Sequence, residues 1–215
     1  MVKRVLFTGF QPFDGDTVNP ALEAVRRLHG RQWDDVEFVG IEVPTVFGKA
    51  IDTLRADITA FNPDVVICVG QAGGRAQITP ERVAINVDDA PIADNEGNQP
   101  IDEPVLLGGP TAYWSTLPIK KMTMDMNQAG IPASVSNTAG TFVCNHIFYG
   151  LMHELAQNRP GVRGGFIHIP YMPEQVTQRQ APSMSLDVIV RGLELCGLTS
   201  VRTALDIQVG AGTEC

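Results

Sequence analysis

Residues 64–70 read Asp64-Val65-Val66-Ile67-Cys68-Val69-Gly70, an unbroken and mostly β-branched apolar run closed by turn residues. A strand with one wet face would alternate; an unbroken run of this length reads as a strand buried on both faces, with other elements above and below it. The flanking sequence supplies them. Arg4–Thr8 reads as a strand, Gly9–Val18 as a loop, and Asn19-Pro20-Ala21 as a helix start, with Asn19 capping, Pro20 in the first helical position and Gly30 at the end. Val36–Val43 alternates as a strand, and Phe47–Phe61 carries Ile51, Leu54 and Ile58 at helical spacing up to Pro63. This β-α-β-α-β order predicts an α/β fold around a mostly parallel, twisted sheet.

The second half continues the pattern less regularly. Glu81–Val87 reads as a strand, with antiparallel pairing allowed. Residues 88–110 form a long Asp-, Pro-, Gly- and Asn-rich segment suited to a lid or a subunit contact. Pro118–Gln128 is expected as a helix ending at Gly130, Ala133–Asn137 as a strand, Phe142–Gln157 as a helix and Gly164–Ile169 as a strand. Ser183–Cys196 is expected as a last helix stopped by Gly197, leaving an edge strand from Leu198. No repeat or linker interrupts residues 1–215, which read as one domain.

The formal net charge of −8, with no Lys/Arg cluster, excludes a nucleic-acid or anionic-membrane binder. Apolar runs are of strand length, so no membrane span is expected, and the start carries no leader pattern; the expectation is a cytoplasmic protein. The cysteines Cys68, Cys144, Cys196 and Cys215 form no CxxC pair, which argues against a disulfide framework or a zinc ribbon. GxGxxG and GK[ST] are both missing, so no nucleotide cofactor is implied.

Chemistry concentrates at Cys144. It follows the small-residue turn Thr138–Thr141 and sits in the first turn of the predicted helix, one step off the apolar stripe Val143, Ile147, Leu151 and Leu155. Free N–H groups and the positive end of the helix dipole favour a thiolate there and can hold an oxyanion. The competing reading is a buried, inert thiol. Cys68 is expected in the core, and Cys196 at a helix end that disfavours a thiolate.

A cysteine nucleophile needs a base. His168 ends an apolar strand, where α/β folds place their chemistry; a merely hydrogen-bonded histidine is the alternative. His29 suits a charge–dipole contact at a helix end. His146 and His153 lie on the Cys144 helix without a third metal ligand, so no metal site is expected. Glu81 and Asp94 are both candidates for the acid that orients the imidazole, against a Glu81–Arg82 surface pair and an Asp94 turn. Phe10 and Phe13, in the loop after the first strand, suggest the wall of an apolar pocket.

Together the stretches TGFQPFDGDTVNPA, GQAGGRAQITPERVAIN, DNEGNQPID, SNTAGTFVCNH and GGFIHIPYMPEQ resemble the pyroglutamyl peptidase I (pyrrolidone-carboxylate peptidase) family of cysteine peptidases. The resemblance implies a three-layer α/β/α sandwich of the phosphorylase/hydrolase-like kind, assembled as a homotetramer or homodimer. It implies removal of N-terminal pyroglutamyl residues from peptides without metal or organic cofactor. By the same resemblance Cys144 falls at the nucleophile, His168 at the base and Glu81 at the orienting acid. Phe10, Phe13, Phe142 and Val143 fall at the lactam pocket, and Gln71 where backbone meets the lactam. The sequence departs from the family's Asp-Ala-Arg-Ile-Pro-Asp-Asn pattern at Pro91, which replaces the arginine. Loss of one oxyanion donor costs on the order of 2–4 kcal/mol if nothing replaces it. Two alternatives follow: a thiol amidase for another small acyl amide, or a binding paralogue with weak turnover. A nucleoside phosphorylase activity gains no support, since no phosphate-binding arginine cluster is present.

Overall fold

The computed structural model describes residues 2–212. Six strands form the main sheet: β1 (Lys3–Phe10), β2 (Gln32–Trp33), β3 (Val36–Val43), β4 (Val65–Gln71), β5 (Thr79–Pro80) and β8 (Arg163–Ile169). Their order is β2-β3-β1-β4-β8-β5. The four central strands are parallel, and β2 and β5 close the edges antiparallel. A separate antiparallel pair is made by β6 (Val83–Ile85) and β7 (Ala112–Trp114).

Strand alternation builds a core on each face of this sheet. Val5 and Phe7 of β1, Val65, Ile67 and Val69 of β4, and Ile167 and Ile169 of β8 face one side. There they meet α1 (Pro20–Leu28), α3 (Ile119–Gln128) and α5 (Leu186–Arg202). Leu6, Phe10, Val66, Cys68 and Phe166 face the other side, under α2 (Lys49–Phe61) and α4 (Val143–Asn158). The result is the expected α/β/α layering over a mostly parallel, mixed sheet. Asn19 caps α1 as expected, its Oδ1 accepting from the Ala21 N–H at 3.0 Å.

Three expectations are corrected. Residues 133–137 do not form a regular strand but two isolated parallel bridges to Ile78 and Glu81. The Ile78 and Arg82 N–H groups donate to Pro132 and Ser136, while Pro80, between them, has no N–H to continue the ladder. The stretch 81–87 is divided, with only Val83–Ile85 forming a strand. Gly197 does not stop α5. The helix runs to Arg202 and takes up the start of the expected edge strand, because this glycine serves packing: a Cβ there would lie 2.8 Å from Phe38 Cζ and 3.0 Å from a Phe7 ring carbon.

Chain direction puts the site in place. From β1 the chain moves outward to β3, then crosses back to β4 on the other side of β1. The carboxyl ends of β1 and β4 therefore splay at a topological switch point, where open α/β sheets leave a crevice. Phe10 ends β1 and Gln71 ends β4. Among the described residues no helix is long and apolar enough to cross a membrane.

Candidate active site

Helix α4 starts one residue later than its sequence pattern suggests. Phe142 is its extended N-cap, and Cys144 its second residue. The first intrahelical bond runs from the His146 N–H to the Phe142 carbonyl, so the N–H groups of Val143, Cys144 and Asn145 precede it. The buried Asn145 amide pins this helix start to the small sheet, accepting from the Ile85 N–H at 3.0 Å and donating to the Ile85 and Val87 carbonyls at 2.9 Å.

The thiol points down onto the sheet. A Cβ built on Gly70 would lie 2.8 Å from Cys144 Sγ, so the sulfur occupies space that any other residue at position 70 would fill. Gly70 is the cross-strand partner of His168 in the parallel β4–β8 register. Neighbouring parallel strands lie about 4.8 Å apart and turn paired side chains to the same face. Thiol and imidazole therefore lie on the same face of the sheet, the α4 face, as does Phe166, whose ring centroid lies 4.8 Å from that of His168.

His168 is buried, and its Nδ1 lies 2.7 Å from Glu81 Oε1. Glu81 has no exposed side-chain surface, and the same oxygen receives Arg75 Nη1 at 2.7 Å. Arg75 is itself held by Thr79 Oγ1 (2.6 Å) and the Thr138 carbonyl (3.1 Å). A carboxylate oxygen only accepts, so Nδ1 donates and Nε2 keeps its lone pair. Burial pushes the imidazole pKa down, and Glu81 opposes this.

The thiol departs from expectation. Burial of the sulfur pushes Cys144 up to about 12; Glu81 adds to the rise, and Arg75 opposes it. Burial of the sulfur thus works against a preformed thiolate. The helix start favours the charged form, but desolvation at the sheet surface outweighs it. Cys68 is buried in β4 and pushed up to about 12, and Cys196 is raised by burial too. Cys215 lies outside the described residues.

Asp94 does not reach His168. It accepts from the N–H groups of Phe47, Glu96 and Asn98 at 2.9 Å, organising the long loop. Burial raises its pKa, but these bonds and the Asn98 amide outweigh burial and hold it below the ordinary value. A second acid–imidazole pair, Asp88 Oδ2 with His146 Nδ1 at 2.7 Å, has no free nitrogen for a thiol, because His146 Nε2 accepts from the Gly48 N–H at 2.8 Å. His153 is bonded to the Tyr113 hydroxyl, and His29 stands at the C-cap of α1, where its Nδ1 accepts from the Gly40 N–H. Among the described residues no three His, Cys, Asp or Glu side chains form a set able to hold a metal ion.

Beside Cys144 lies a narrow recess of about 10 Å³, lined by Phe10, Phe13, Gln71, Phe142 and Val143 together with Asn19 and Thr45. Phe10 is not a loop residue: it ends β1, is buried, and packs on Phe166 at 6.4 Å. Phe13 and Phe142 face each other at 6.1 Å, and Phe47 backs Phe142 at 5.5 Å. A wider recess of about 180 Å³ beside His146, Tyr149 and His153 contains no nucleophile. Arg75, Gly70 and Asn145 escaped the sequence reading. The first had a signal, since a buried acid bonded to a histidine needs a nearby cation; the other two depend on register and helix docking.

The profile of the pyroglutamyl peptidase family matches residues 3–203. The chain is 56% identical over 212 residues to the pyrrolidone-carboxylate peptidase of Bacillus velezensis, covering 99% of both chains. It is 56% identical over 213 residues to that of Bacillus subtilis, again with 99% coverage of both. Its fold is similar to the crystal structure of pyroglutamyl peptidase I from Bacillus amyloliquefaciens, with TM-score 0.96, 56% identity, and 98% of this chain and 100% of that one covered. A mutant pyrrolidone carboxyl peptidase from Pyrococcus furiosus matches with TM-score 0.91 at 40% identity, over 94% of this chain and 100% of that one.

Proposed function

This chain belongs to the pyroglutamyl peptidase family, and from that premise we propose that Cys144 is its nucleophile, His168 its general base and acid, and Glu81 the group that orients His168. The protein is a cysteine peptidase that removes N-terminal pyroglutamate from peptides. The observation that carries the residue assignment is the seating of Cys144 Sγ over Gly70, whose cross-strand partner is His168.

The steps follow from the geometry. A pyroglutamyl ring enters by parting the Phe13 and Phe142 rings that narrow the recess, with Gln71 at its rim. His168 Nε2 takes the Cys144 proton as sulfur attacks the pyroglutamyl carbonyl, so the thiolate forms only during attack. The N–H groups at the start of α4 hold the oxyanion, a role that does not call on an arginine at position 91. His168 then protonates the leaving amine, and the thioester remains on Cys144. Water, deprotonated by His168, attacks the thioester; pyroglutamate leaves and the thiol is restored. The recess contains no carboxylate, which suits a neutral lactam rather than a free ammonium. A prolyl substrate lacks the lactam carbonyl and would leave a pocket donor unpaired.

Residues 1–215 act as one catalytic domain in this reading, within a homotetramer or homodimer. Exposed Trp114 and Leu205, which line one surface recess together, support the association. A working free thiol suits the reducing cytoplasm. Hydrolysis of a chromogenic pyroglutamyl amide tests the assignment, with prolyl and glutamyl amides alongside. Cys144→Ser should abolish turnover with an unchanged melting temperature, and His168→Ala should be nearly as severe. Appreciable turnover by Cys144→Ser would remove Cys144 as nucleophile.

A further inference from the structure

Gln175 lies in the 3-10 turn Pro173–Val176 after β8, outside the lining of the recess. Its side-chain amide is engaged at both ends. Oε1 accepts from the Met172 N–H at 2.9 Å. Nε2 donates to Gln71 Oε1 at 2.8 Å, with Asp16 Oδ2 at 3.3 Å and the Val18 carbonyl at 3.5 Å. These partners lie on three separate segments: the loop after β1, the end of β4 and the loop after β8. The first also carries Phe13, and the second ends in Gln71, so both border the recess. Arg179 adds a parallel tie, reaching Asp16 Oδ1 at 3.0 Å while its guanidinium lies 5.1 Å from the Tyr171 ring centroid.

The chemistry of an amide sets the orientation. With Gln175 Oε1 committed to an N–H donor, its nitrogen must face Gln71, and the Gln71 atom that receives it must be the oxygen. Gln71 Nε2 then remains without a protein partner among the described residues, as a donor at the edge of the recess.

We propose that Gln175 is a positioning residue for pyroglutamyl binding: it fixes the direction of the Gln71 amide at the edge of the recess. The inference rests on the recess being the lactam pocket. Gln175 acts on ground-state fit rather than on the Cys144–His168 pair, so its removal changes KM and spares kcat.

A double-mutant cycle on the full-length enzyme tests this, with a chromogenic pyroglutamyl amide as probe. Gln175→Ala should raise KM roughly 5- to 10-fold, the scale of one lost neutral hydrogen bond, with kcat within about 2-fold of the parent. In a Gln71→Ala background the same change should add nothing, because its effect passes through Gln71. Gln175→Glu, which sets an acceptor against Gln71 Oε1 and Asp16, should raise KM further than Gln175→Ala. An unchanged KM in Gln175→Ala, a fall in kcat at constant KM, or effects that multiply across the cycle would overturn the proposal. If the alanine variant fails to fold, Gln175→Met, of similar length but without a donor, must meet the same expectations. Cys144→Ser assayed in parallel separates the two ideas. Turnover persisting there removes the reading on which the inference rests, whereas lost turnover there with an unchanged KM in Gln175→Ala removes the inference alone.

Discussion

Glu81 sits with no exposed surface between a guanidinium and an imidazole, and one of its oxygens, Oε1, serves both. Arg75 supplies the opposite charge that a buried carboxylate requires, and Glu81 in turn fixes the His168 tautomer. At the other end of the pair a residue with no side chain has the corresponding role: Gly70 leaves the room in which Cys144 Sγ lies. In Gly70→Ala the new Cβ would stand 2.8 Å from that sulfur and 2.7 Å from Phe166 Cζ, so one of them must move. A displacement of about 1 Å at a reacting atom costs on the order of 100-fold in rate. Gly70→Ala should therefore lower kcat by about that factor while KM changes far less; a kcat within 2-fold of the parent would show that the thiol does not depend on this space. The position of Cys144 in a first helical turn was legible in the sequence, because that signal is local. Its protonation state was not, because the burial of the sulfur comes from β4 and β8, which are distant in the chain.

Among the elements, the apolar run 65–69 and the alternation in 36–43 marked their strands correctly, and Asn19-Pro20 marked the start of α1. Periodicity and capping are local physics. Errors arose where tertiary packing decided. Pro80 interrupts the pairing of 133–137, and Gly197 lies inside α5 because Phe38 and Phe7 press against it. For Gly197→Ala two effects compete. Helix propensity favours alanine by about 1 kcal/mol, whereas overpacking a filled core costs roughly 1–3 kcal/mol. With Phe38 Cζ at 2.8 Å and buried, overpacking should win, and urea unfolding should show a net loss of about 1 kcal/mol. A gain in stability would mean that the Phe38 ring yields freely.

At the scale of the whole molecule, the sheet order opens the crevice between β1 and β4, and two buried thiols, the half-buried Cys144 and a buried imidazole tie stability to pH. The folded state raises Cys68, Cys144 and Cys196 above the ordinary thiol value of 9.0. Above about pH 9 the unfolded chain loses these protons first, so stability should fall as pH rises further, with a slope of up to about 1.4 kcal/mol per pH unit for each thiol. His168 is shifted down from 6.5, so its contribution is present above that pH and is lost as pH falls through its folded value. Urea midpoints should be highest between about pH 6.5 and 9, and Cys144→Ser should soften the alkaline fall. A Cys144→Ser midpoint curve parallel to the parent's above pH 9 would contradict the raised thiol.

The central claim, that Cys144 carries the pyroglutamyl group, is tested most directly by intact-protein mass spectrometry on enzyme acid-quenched during turnover of a pyroglutamyl amide. The account predicts a single pyroglutamyl adduct that maps by peptide digestion to Cys144, is released by thiol-ester cleavage, and is absent from Cys144→Ser. An adduct on any other residue, or turnover by Cys144→Ser at a rate near the parent's, would contradict it.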